Sequence, residues 1–339
     1  CSFGLTSEDI NNTAYSLLFQ RSVDQSLLKS LGELSSLLSL LTSKTKDMPM
    51  LSLTHGQPAT TTTLGKEIAV FHVRLERQLD YIKKHRLLAK FSGATGTFAA
   101  HKIAFPKESW VVFSEKFIRD LGLKNNPITT QIEPNDSIAE LLHAFVRTNN
   151  ILTDMCVDIW LYISRNIFTQ TNKSGEVGSS TMPHKINPIS FENAEGNLEL
   201  SNASFVFLAS RLSRSRLQRD LSGSTLFRNV GVAFGHSLLA YKNIVVGLKR
   251  IHPNTKQLSL ELENQWSVLA EAIQTVLRKS GDKEAYNKIK KLTRGVPLDK
   301  DGYLSLVNKL DLPEKDKQAL LSLTPATYSG EIKRILKKY

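Results

Sequence analysis

Residues 175–188, GEVGSSTMPHKINP, combine side chains suited to proton transfer and anion binding with a backbone rich in glycine and proline. Ser179 and Ser180 carry hydroxyls, Lys185 carries a positive charge, and Asn187 carries a side-chain amide. A plain linker is usually rich in Gly and Ser and has no basic anchor. The segment is therefore either a solvent-exposed connector or a lid that closes over an anionic substrate, and its composition favours the lid.

A histidine at position 55 lies in the short sequence THGQPA, with Gly and Pro close by. This composition predicts a tight turn, placed between helices. An imidazole has an unperturbed pKa of about 6.5, which suits a general acid near neutral pH. A single histidine is more often structural or simply exposed, so both interpretations of His55 stay open on the residues alone.

Two polar segments could bind carboxylates. TSED fits a capping box with Thr6 at the N-cap and Asp9 three positions later. The hydroxyls of Thr6 and Ser7, together with the amides of the first helical turn, would also cradle a carboxylate or phosphate. In TTQIEP the side-chain amide of Gln131 could hold a carboxylate. Helix capping and ordinary loop polarity are the simpler alternatives.

Arginines cluster in SRLQRDLSGSTLFRN, residues 215–229, where Arg216, Arg219 and Arg228 surround a Ser/Gly turn. Guanidinium groups bind phosphate oxygens in a bidentate manner. The segment predicts a phosphate site, and a solvated, charged helix end is the alternative.

Long amphipathic helices must position these segments. Apolar residues recur at spacings of three and four, which marks one buried face on each helix. The clearest stripes are Leu27, Leu31, Leu34, Leu38 and Leu41; Leu64, Ile68, Phe71, Leu75, Leu79 and Ile82; and Ile138, Leu142, Phe145, Leu152, Cys156, Ile159 and Ile163. Sustained period-2 alternation is missing from the sequence, so we predict an all-α fold built as a bundle of long helices.

A second helical region follows the break at HPN, residues 252–254. Its apolar residues share one face and Gly281 is a plausible C-cap; the face comprises Leu262, Trp266, Leu269, Ile273 and Leu277. We predict a central long-helix bundle domain over residues 1–250, which contains the 175–188 loop. A smaller C-terminal helical domain is predicted over residues 251–339.

Composition restricts the class of function. The chain has 339 residues, of which 41% are hydrophobic and 22% charged, a balance typical of a globular protein with a large core. Its net charge of +12 is spread along the sequence, which favours small anionic ligands over a nucleic-acid surface. Cys1 and Cys156 suit neither a disulfide scaffold nor a zinc site, and they fit a reducing compartment such as the cytoplasm. The most apolar stretch, residues 230–248, is broken by polar and charged residues, so no membrane span is expected.

The loop and the polar segments together resemble the fumarase/aspartase superfamily, whose signature has the form GSSxMPxKxNP. The matching residues are Gly178, Ser179, Ser180, Met182, Pro183, Lys185, Asn187 and Pro188. Within the superfamily the chain is most similar to the bacterial-type adenylosuccinate lyases. The segments that carry this likeness are TSEDINN, THGQPA, TTQIEP, FENAEGN, QRDLSGST and WSVLAEAIQT. Gly223 stands where many relatives have Asp or Asn, and Asn135 stands where His is common.

The resemblance implies a β-elimination that releases fumarate from adenylosuccinate, giving AMP, or from SAICAR, giving AICAR. It implies no cofactor and no metal. It also implies that Ser179 is the base, His55 the acid, Glu192 the carboxylate that orients the acid, and Lys185 a stabiliser of the developing charge. Substrate-binding residues implied by the likeness are Thr6, Ser7, Thr54, Gln131, Ser180, Asn187 and Asn193, with Arg219, Ser224 and Arg228 on the phosphate.

The family assembles as a homotetramer in which long helices from four chains form one core and each active site draws on three chains. It also has a domain upstream of TSEDINN, so the expectation is that this chain corresponds to the other two domains. Other lyases that release fumarate, such as argininosuccinate lyase, share the signature, but only the nucleotide lyase calls for the arginine of QRDLSGST. A catalytically dead helical core is the remaining alternative.

Overall fold

The structure, a computed structural model, describes residues 3–171, 182, 184–293 and 298–339. Helices dominate these residues, and the predicted all-α class is confirmed. Their bounds are α1 Ser7–Ser22, α2 Leu28–Thr45, α3 Leu64–Lys84, α4 Ala99–Ala104, α5 Trp110–Asp120, α6 Asp136–Ser164, α7 Ile189–Leu212, α8 Ser222–Phe227, α9 Val230–Leu248, α10 Thr255–Glu263, α11 Ala270–Lys279, α12 Ala285–Thr293, α13 Lys300–Asn308, α14 Glu314–Leu321 and α15 Ile332–Ile335.

Short strands pair in small two-stranded sheets between the helices. The strands are β1 Pro49–Thr54, β2 Gln57–Thr63, β3 Leu88–Ala89, β4 Lys124–Asn125, β5 Phe168–Gln170 and β6 Ile251–Pro253. β1 pairs with β2 and β5 with β6 in antiparallel fashion, whereas β3 and β4 run parallel. The THGQPA turn therefore joins two strands and not two helices. The threonine run at the end of β2 accounts for the difference, since β-branched residues favour strands.

The predicted apolar stripes are the buried faces of the long helices. Leu31, Leu34 and Leu38 of α2 are fully buried, and so are Leu142 and Phe145 of α6. A turn of π-helix, Val23–Leu27, connects α1 directly to α2. The stripes therefore predicted both the helices and the sides that they bury.

Contacts divide the chain into two compact units. The first draws its described residues from Cys1–Leu37, Phe71–Leu161 and Ser174–Arg250; the second draws them from Leu38–Val70, Tyr162–Lys173 and Ile251–Tyr339. Neither unit is continuous in sequence. The division into domains over 1–250 and 251–339 stays a prediction.

The core of the first unit forms where α6, α7 and α9 meet. Phe145, Phe205 and Phe234 contribute one ring from each helix, with ring centroids 5.4–6.0 Å apart. These edge-on and tilted contacts are the favoured geometries of aromatic pairs. The three helices are therefore held by ring packing as well as by aliphatic contacts.

A neutral polar network lies inside the same helices. Asn149 donates from Nδ2 to the Ser237 hydroxyl at 3.0 Å, and Ser237 lies 2.7 Å from the Ser201 hydroxyl. The Tyr241 hydroxyl donates to Asn149 Oδ1 at 2.6 Å. All four side chains are fully buried, and burial raises the pKa of the Tyr241 phenol. The Ser201 hydroxyl also donates to the Ala233 carbonyl at 2.9 Å. The members of the network are therefore hydrogen-bonded, as buried polar groups generally are.

The second unit has its own core. Leu269 and Ile273 pack with Tyr303 and Val307 of α13 and with Leu320 of α14. The residues from Leu262 to Leu277 share this core as predicted. They belong, however, to two helices joined by a 3₁₀ turn, Trp266–Leu269.

Gly281 follows α11 with φ of +94° and its N–H donates to the Arg278 carbonyl at 3.0 Å, so it has the left-handed conformation of a C-terminal cap. Among the described residues, no helix is both long enough and apolar enough to cross a membrane.

Candidate active site

The site begins at the N-terminus of α1. Thr6 is the N-cap, and its backbone N–H donates to Asp9 Oδ2 at 2.9 Å, which confirms the predicted capping box. The same Asp9 carboxylate accepts bonds from the backbone N–H groups of Ser92 at 2.9 Å and of Gly93 at 3.2 Å. Gly93 has φ of +80°, in the region that glycine adopts without strain. One carboxylate thus ties the start of α1 to the loop that follows β3.

A fully buried ion pair lies beneath this helix terminus. Lys90 Nζ is 3.0 Å from Asp9 Oδ1, and neither side chain is exposed. Lys90 Nζ also donates to the carbonyl oxygens of Gly93 at 2.9 Å and Gln131 at 2.8 Å. Burial lowers the pKa of the Lys90 ammonium, while the bond to Asp9 and the negative charge of that carboxylate oppose the shift. The ammonium therefore has three oxygen partners and joins three separate segments.

Arg219 connects three of the polar residues around this terminus. Its Nη1 donates to the Ser7 hydroxyl at 2.8 Å and to Gln131 Oε1 at 3.1 Å. Its Nη2 lies 3.0 Å from Glu8 Oε1. Both side chains of this ion pair are mostly buried, with 22% and 17% exposure for Arg219 and Glu8. Three residues that the sequence marked separately for anion binding, at positions 7, 131 and 219, are therefore in direct contact.

A small cleft of about 40 Å³, partly open to solvent, adjoins Arg219. Its polar lining includes Ser224, Ser215 and Arg214. Its apolar side includes Tyr15 and Phe227, whose rings stack with centroids 4.5 Å apart. Its hydroxyl and guanidinium groups are of the kind that bind phosphate.

The start of α7 carries two more of the predicted residues. Glu192 lies in the first turn, where its Oε1 accepts a hydrogen bond from the Trp160 indole at 3.0 Å. Asn193 Oδ1 accepts from Asn243 Nδ2 at 2.6 Å and from Asn197 Nδ2 at 3.1 Å. Both predicted side chains are exposed, so they remain accessible in a single chain.

Part of the signature lies outside the described residues. This applies to Ser179 and Ser180, the predicted base and its neighbour. The Lys185 side chain is exposed, and its backbone N–H donates to the Met182 carbonyl at 3.1 Å. Asn187 is partly buried. Pro188 is the N-cap of α7. It therefore lies one position before N1, the position that a proline at the start of a helix usually takes.

His55 belongs to the second unit, at the tip of the β1–β2 hairpin. Thr54 pairs with Gln57, which leaves His55 and Gly56 as the two turn residues. Both have positive φ, +54° and +71°, as a type I′ hairpin turn requires. The imidazole and Thr54 are exposed. A non-glycine residue with positive φ is uncommon and occurs often at functional sites.

The remaining predicted arginines do not join the Arg219 contacts. Arg228 is exposed at the C-terminal end of α8, a short helix that takes the place of the predicted Ser/Gly turn. Arg216 forms an exposed ion pair with Asp220, with the two charged atoms 3.2 Å apart. Of the three predicted arginines, Arg219 is therefore mostly buried, whereas Arg216 and Arg228 face solvent.

Sequence reasoning missed Glu8 and Lys90 and treated Asp9 only as a cap. Asn12, also missed, holds the backbone of Lys90: its Oδ1 accepts from the Lys90 N–H at 2.9 Å, and its Nδ2 donates to the Lys90 carbonyl at 3.2 Å. TSEDINN contains two acidic residues and two asparagines, which was an available signal for a polar cluster. Lys90 had no local signal, because its partners come from distant segments. In the described part of the chain, no cluster of His, Cys, Asp and Glu is arranged to hold a metal ion.

Two family models match the chain. One, described as lyase, covers residues 1–199, and the other, described as adenylosuccinate lyase C-terminal, covers residues 215–329. Adenylosuccinate lyase of Legionella pneumophila (strain Corby) is 47% identical over 337 residues, which span 99% of this chain and 74% of that protein. The Escherichia coli (strain K12) enzyme of the same name is 47% identical over 97% of this chain and 72% of its own.

Two solved structures share the fold. A fumarate lyase from Mesorhizobium sp. BNC1 superposes with a TM-score of 0.80 at 19% identity, covering 99% of this chain and 78% of that one. The 3-carboxy-cis,cis-muconate lactonizing enzyme from Pseudomonas putida has a TM-score of 0.79 at 21% identity and covers 99% of this chain and 75% of its own.

The long-helix fold and the first family model define the class of the protein as a lyase. A sequence identity of 47% along nearly the whole chain then identifies the family within that class. The chain belongs to the adenylosuccinate lyase family.

Proposed function

We propose that the protein releases fumarate from adenylosuccinate, giving AMP, and from SAICAR, giving AICAR, in purine nucleotide biosynthesis. The relatives that are 47% identical to this chain are named adenylosuccinate lyase. On the structural side, the proposal is supported by the contacts of Arg219, which joins the N-terminus of α1 to the Gln131 amide beside one cleft. Both substrates carry a phosphate and two carboxylates, which is the charge pattern that such groups bind.

The proposed reaction is a β-elimination. A base takes the proton from the carbon next to one succinyl carboxylate, and the electron pair of that C–H bond forms the double bond of fumarate. The C–N bond breaks at the same time or afterwards, and its electron pair stays on nitrogen, which an acid protonates. Only protons are exchanged, so the reaction needs general acid–base groups and no redox partner.

Ser179 is the proposed base. A serine hydroxyl becomes basic only if the environment stabilises its alkoxide, and each pKa unit requires about 1.36 kcal/mol. Lowering the pKa by about five units would therefore require about 7 kcal/mol of stabilisation. Backbone amides, the ammonium of Lys185 and exclusion of water by a closed 175–188 loop would supply it together.

His55 is the proposed acid, with Glu192 supporting its protonated form and Lys185 holding the carboxylate on which charge develops. Substrate carboxylates are proposed to bind the hydroxyls and amides of the helix α1 terminus and of the signature loop. The proposed binding residues are Thr6, Ser7, Thr54, Gln131, Ser180, Asn187 and Asn193. Arg219, Ser224 and Arg228 are proposed to bind the phosphate. We expect no cofactor to take part.

Substrate discrimination is the first test. The full-length protein is expected to release fumarate from adenylosuccinate and from SAICAR, but not from argininosuccinate or malate. Fumarate is followed by a coupled assay, so that each substrate has the same readout. Release from argininosuccinate alone would move the protein to another branch of the superfamily, and release from none would reject a lyase function.

Ser179→Ala and His55→Ala are each expected to abolish turnover while adenylosuccinate still binds. His252→Ala is a matched control in the second unit, where this histidine lies 2.6 Å from the Thr171 hydroxyl, and it is expected to retain turnover. Near-normal rates in Ser179→Ala or in His55→Ala would reject the role of that residue.

A homotetramer with active sites shared between chains is also proposed. Large apolar side chains remain exposed along three long helices: Val157, Trp160 and Leu161 of α6; Leu200, Val206 and Phe207 of α7; and Val232, Leu239 and Val246 of α9. Large apolar side chains left exposed on three helices that pack together are typical of an interface. Light scattering after gel filtration is expected to give four times the chain mass, and a monomeric mass would reject the assembly. Cytoplasmic location is proposed with it, and cell fractionation tests that location.

A further inference from the structure

The Lys90–Asp9 pair lies next to the residues that Arg219 contacts, since Lys90 Nζ donates to the Gln131 carbonyl and Asp9 lies two positions from Ser7. Stability does not explain the pair. Both side chains are completely buried. Removing two charges from water costs several kcal/mol for each ion, and an apolar pair of similar volume often gives an equal or more stable protein. A fold that only needed to fill this space would have no reason to bury an ammonium here.

The pair joins two loops to the N-terminus of α1. Lys90 Nζ contacts the carbonyl oxygens of Gly93 and Gln131, and Asp9 accepts from the amides that begin the 92–93 turn and from the N-cap of α1. The loop that carries Gln131 is thereby bonded to the helix terminus that carries Ser7. Arg219 connects the same two segments through Ser7 and Gln131.

The contacts also decide which atoms Ser7 and Gln131 present to a ligand. Arg219 donates to the Ser7 oxygen and to Gln131 Oε1, so it occupies acceptor positions on both. A hydroxyl retains its own O–H as a donor, and a glutamine amide retains two N–H donors on Nε2. Two sets of donors are therefore fixed beside each other, which is the arrangement that a carboxylate binds.

We propose that Lys90 and Asp9 are positioning residues that set the distance between the carboxylate-binding donors of Ser7 and Gln131. The proposal rests on the proposed function, because it deepens the carboxylate half of that site. Lys90 and Asp9 touch neither the substrate nor the reacting atoms; they act through the two loops. Removing their charges is expected to weaken dicarboxylate binding more than does another substitution that lowers the melting temperature by a similar amount.

The test measures succinate binding to the full-length protein by calorimetry, together with the melting temperature of each variant. The double variant Asp9→Asn/Lys90→Met removes both charges and leaves one oxygen to accept from the loop amides. Its succinate Kd is expected to rise about tenfold or more. Lys90→Gln keeps two N–H donors for the two carbonyl groups but leaves the Asp9 carboxylate without its counter-ion. It is the second variant and is expected to give an intermediate Kd.

Tyr241→Phe is the matched control, because it removes a buried hydrogen bond from the helix core of the same unit. It is expected to lower the melting temperature but to keep the Kd within about twofold of wild type. The positioning proposal is overturned if the control weakens binding as much as the double variant does at a similar melting temperature. It is also overturned if the double variant or Lys90→Gln binds succinate as tightly as wild type.

Failure of the proposed function has a different outcome. A wild type that binds succinate but releases no fumarate would reject the proposed reaction and leave the Kd comparison intact. A wild type that binds no succinate would overturn the positioning proposal too, since that proposal asserts a dicarboxylate site.

Discussion

Two buried polar regions of the first unit differ in charge and in what they connect. In the helix core, Asn149, Ser237 and Tyr241 form neutral hydrogen bonds between α6 and α9. At the N-terminus of α1, Lys90 and Asp9 form an ion pair that connects loops to a helix terminus. Apolar stripes already align the long helices, so neutral bonds suffice there. The loops have no such stripe, and charge-assisted bonds, which are stronger, hold them in place.

We interpret this difference as a difference in role: the neutral network stabilises the packing of the helices, and the charged pair positions the residues of the site. Neutral groups that satisfy one another cost little to bury and favour one register of the helices. A buried pair of charges is costly and is useful where geometry matters more than stability. Substitutions in the two regions should therefore differ in size and in what they affect.

The largest effect is expected from Lys90→Met alone. It leaves the Asp9 carboxylate buried without its counter-ion, and breaking a buried pair costs about 3–5 kcal/mol in the free energy of unfolding. Urea denaturation measures the loss. The double variant with Asp9→Asn should lose less, because no unpaired charge remains; an equal or greater loss in the double variant would contradict this account of the pair.

A smaller effect is expected from Gly247→Ala in α9. A Cβ at this position would lie 2.7 Å from Cζ of Phe191, a ring that is almost completely buried. Overpacking of this kind costs about 1–3 kcal/mol. Thermal denaturation should show the loss, and an unchanged melting temperature would mean that α7 and α9 can separate without strain.

Tyr241→Phe is expected to cost about 1–2 kcal/mol, because Asn149 Oδ1 loses its donor in a buried position. The KM for adenylosuccinate should not change. Denaturation and fumarate release, measured on the same preparation, test both parts. A raised KM would show that the helix core and the site are coupled, which would weaken the contrast between the two regions.

Gly235→Ala is the smallest expected change and has the opposite sign. Gly235 is in the same helix as Gly247, but a Cβ there would meet no atom within 4 Å. Alanine favours a helix interior over glycine by about 0.5–1 kcal/mol. A modest rise in melting temperature is expected for the single chain. A loss as large as that of Gly247→Ala would show that another chain of the proposed tetramer packs against this face of α9, which also carries Val232 and Leu239.

The long helices could be predicted from sequence because their signal is periodic and local. The stripes in α2, α3 and α6 are the buried faces that the structure shows. The capping box at Thr6 could also be predicted, since its two residues lie three apart. The β1–β2 hairpin was not predicted, because its burial does not follow a regular alternation and its turn resembles a break between helices.

The candidate site could be predicted in part. Ser7, Gln131 and Arg219 were each marked by residue type and neighbours, and the structure brings them into contact. Their roles stay predictions, as do those of Ser179 and His55. The Lys90–Asp9 pair could not be predicted from one sequence, because the two residues have no shared pattern and meet only after the helices have packed.

The most direct measurement is fumarate release by the full-length wild type and by the Asp9→Asn/Lys90→Met variant over a range of adenylosuccinate concentrations. We predict that the wild type releases fumarate and that the variant has a KM raised by about tenfold, with a smaller change in kcat. A variant with the KM of wild type would contradict the role of the buried pair, and a wild type that releases no fumarate would contradict the proposed function itself.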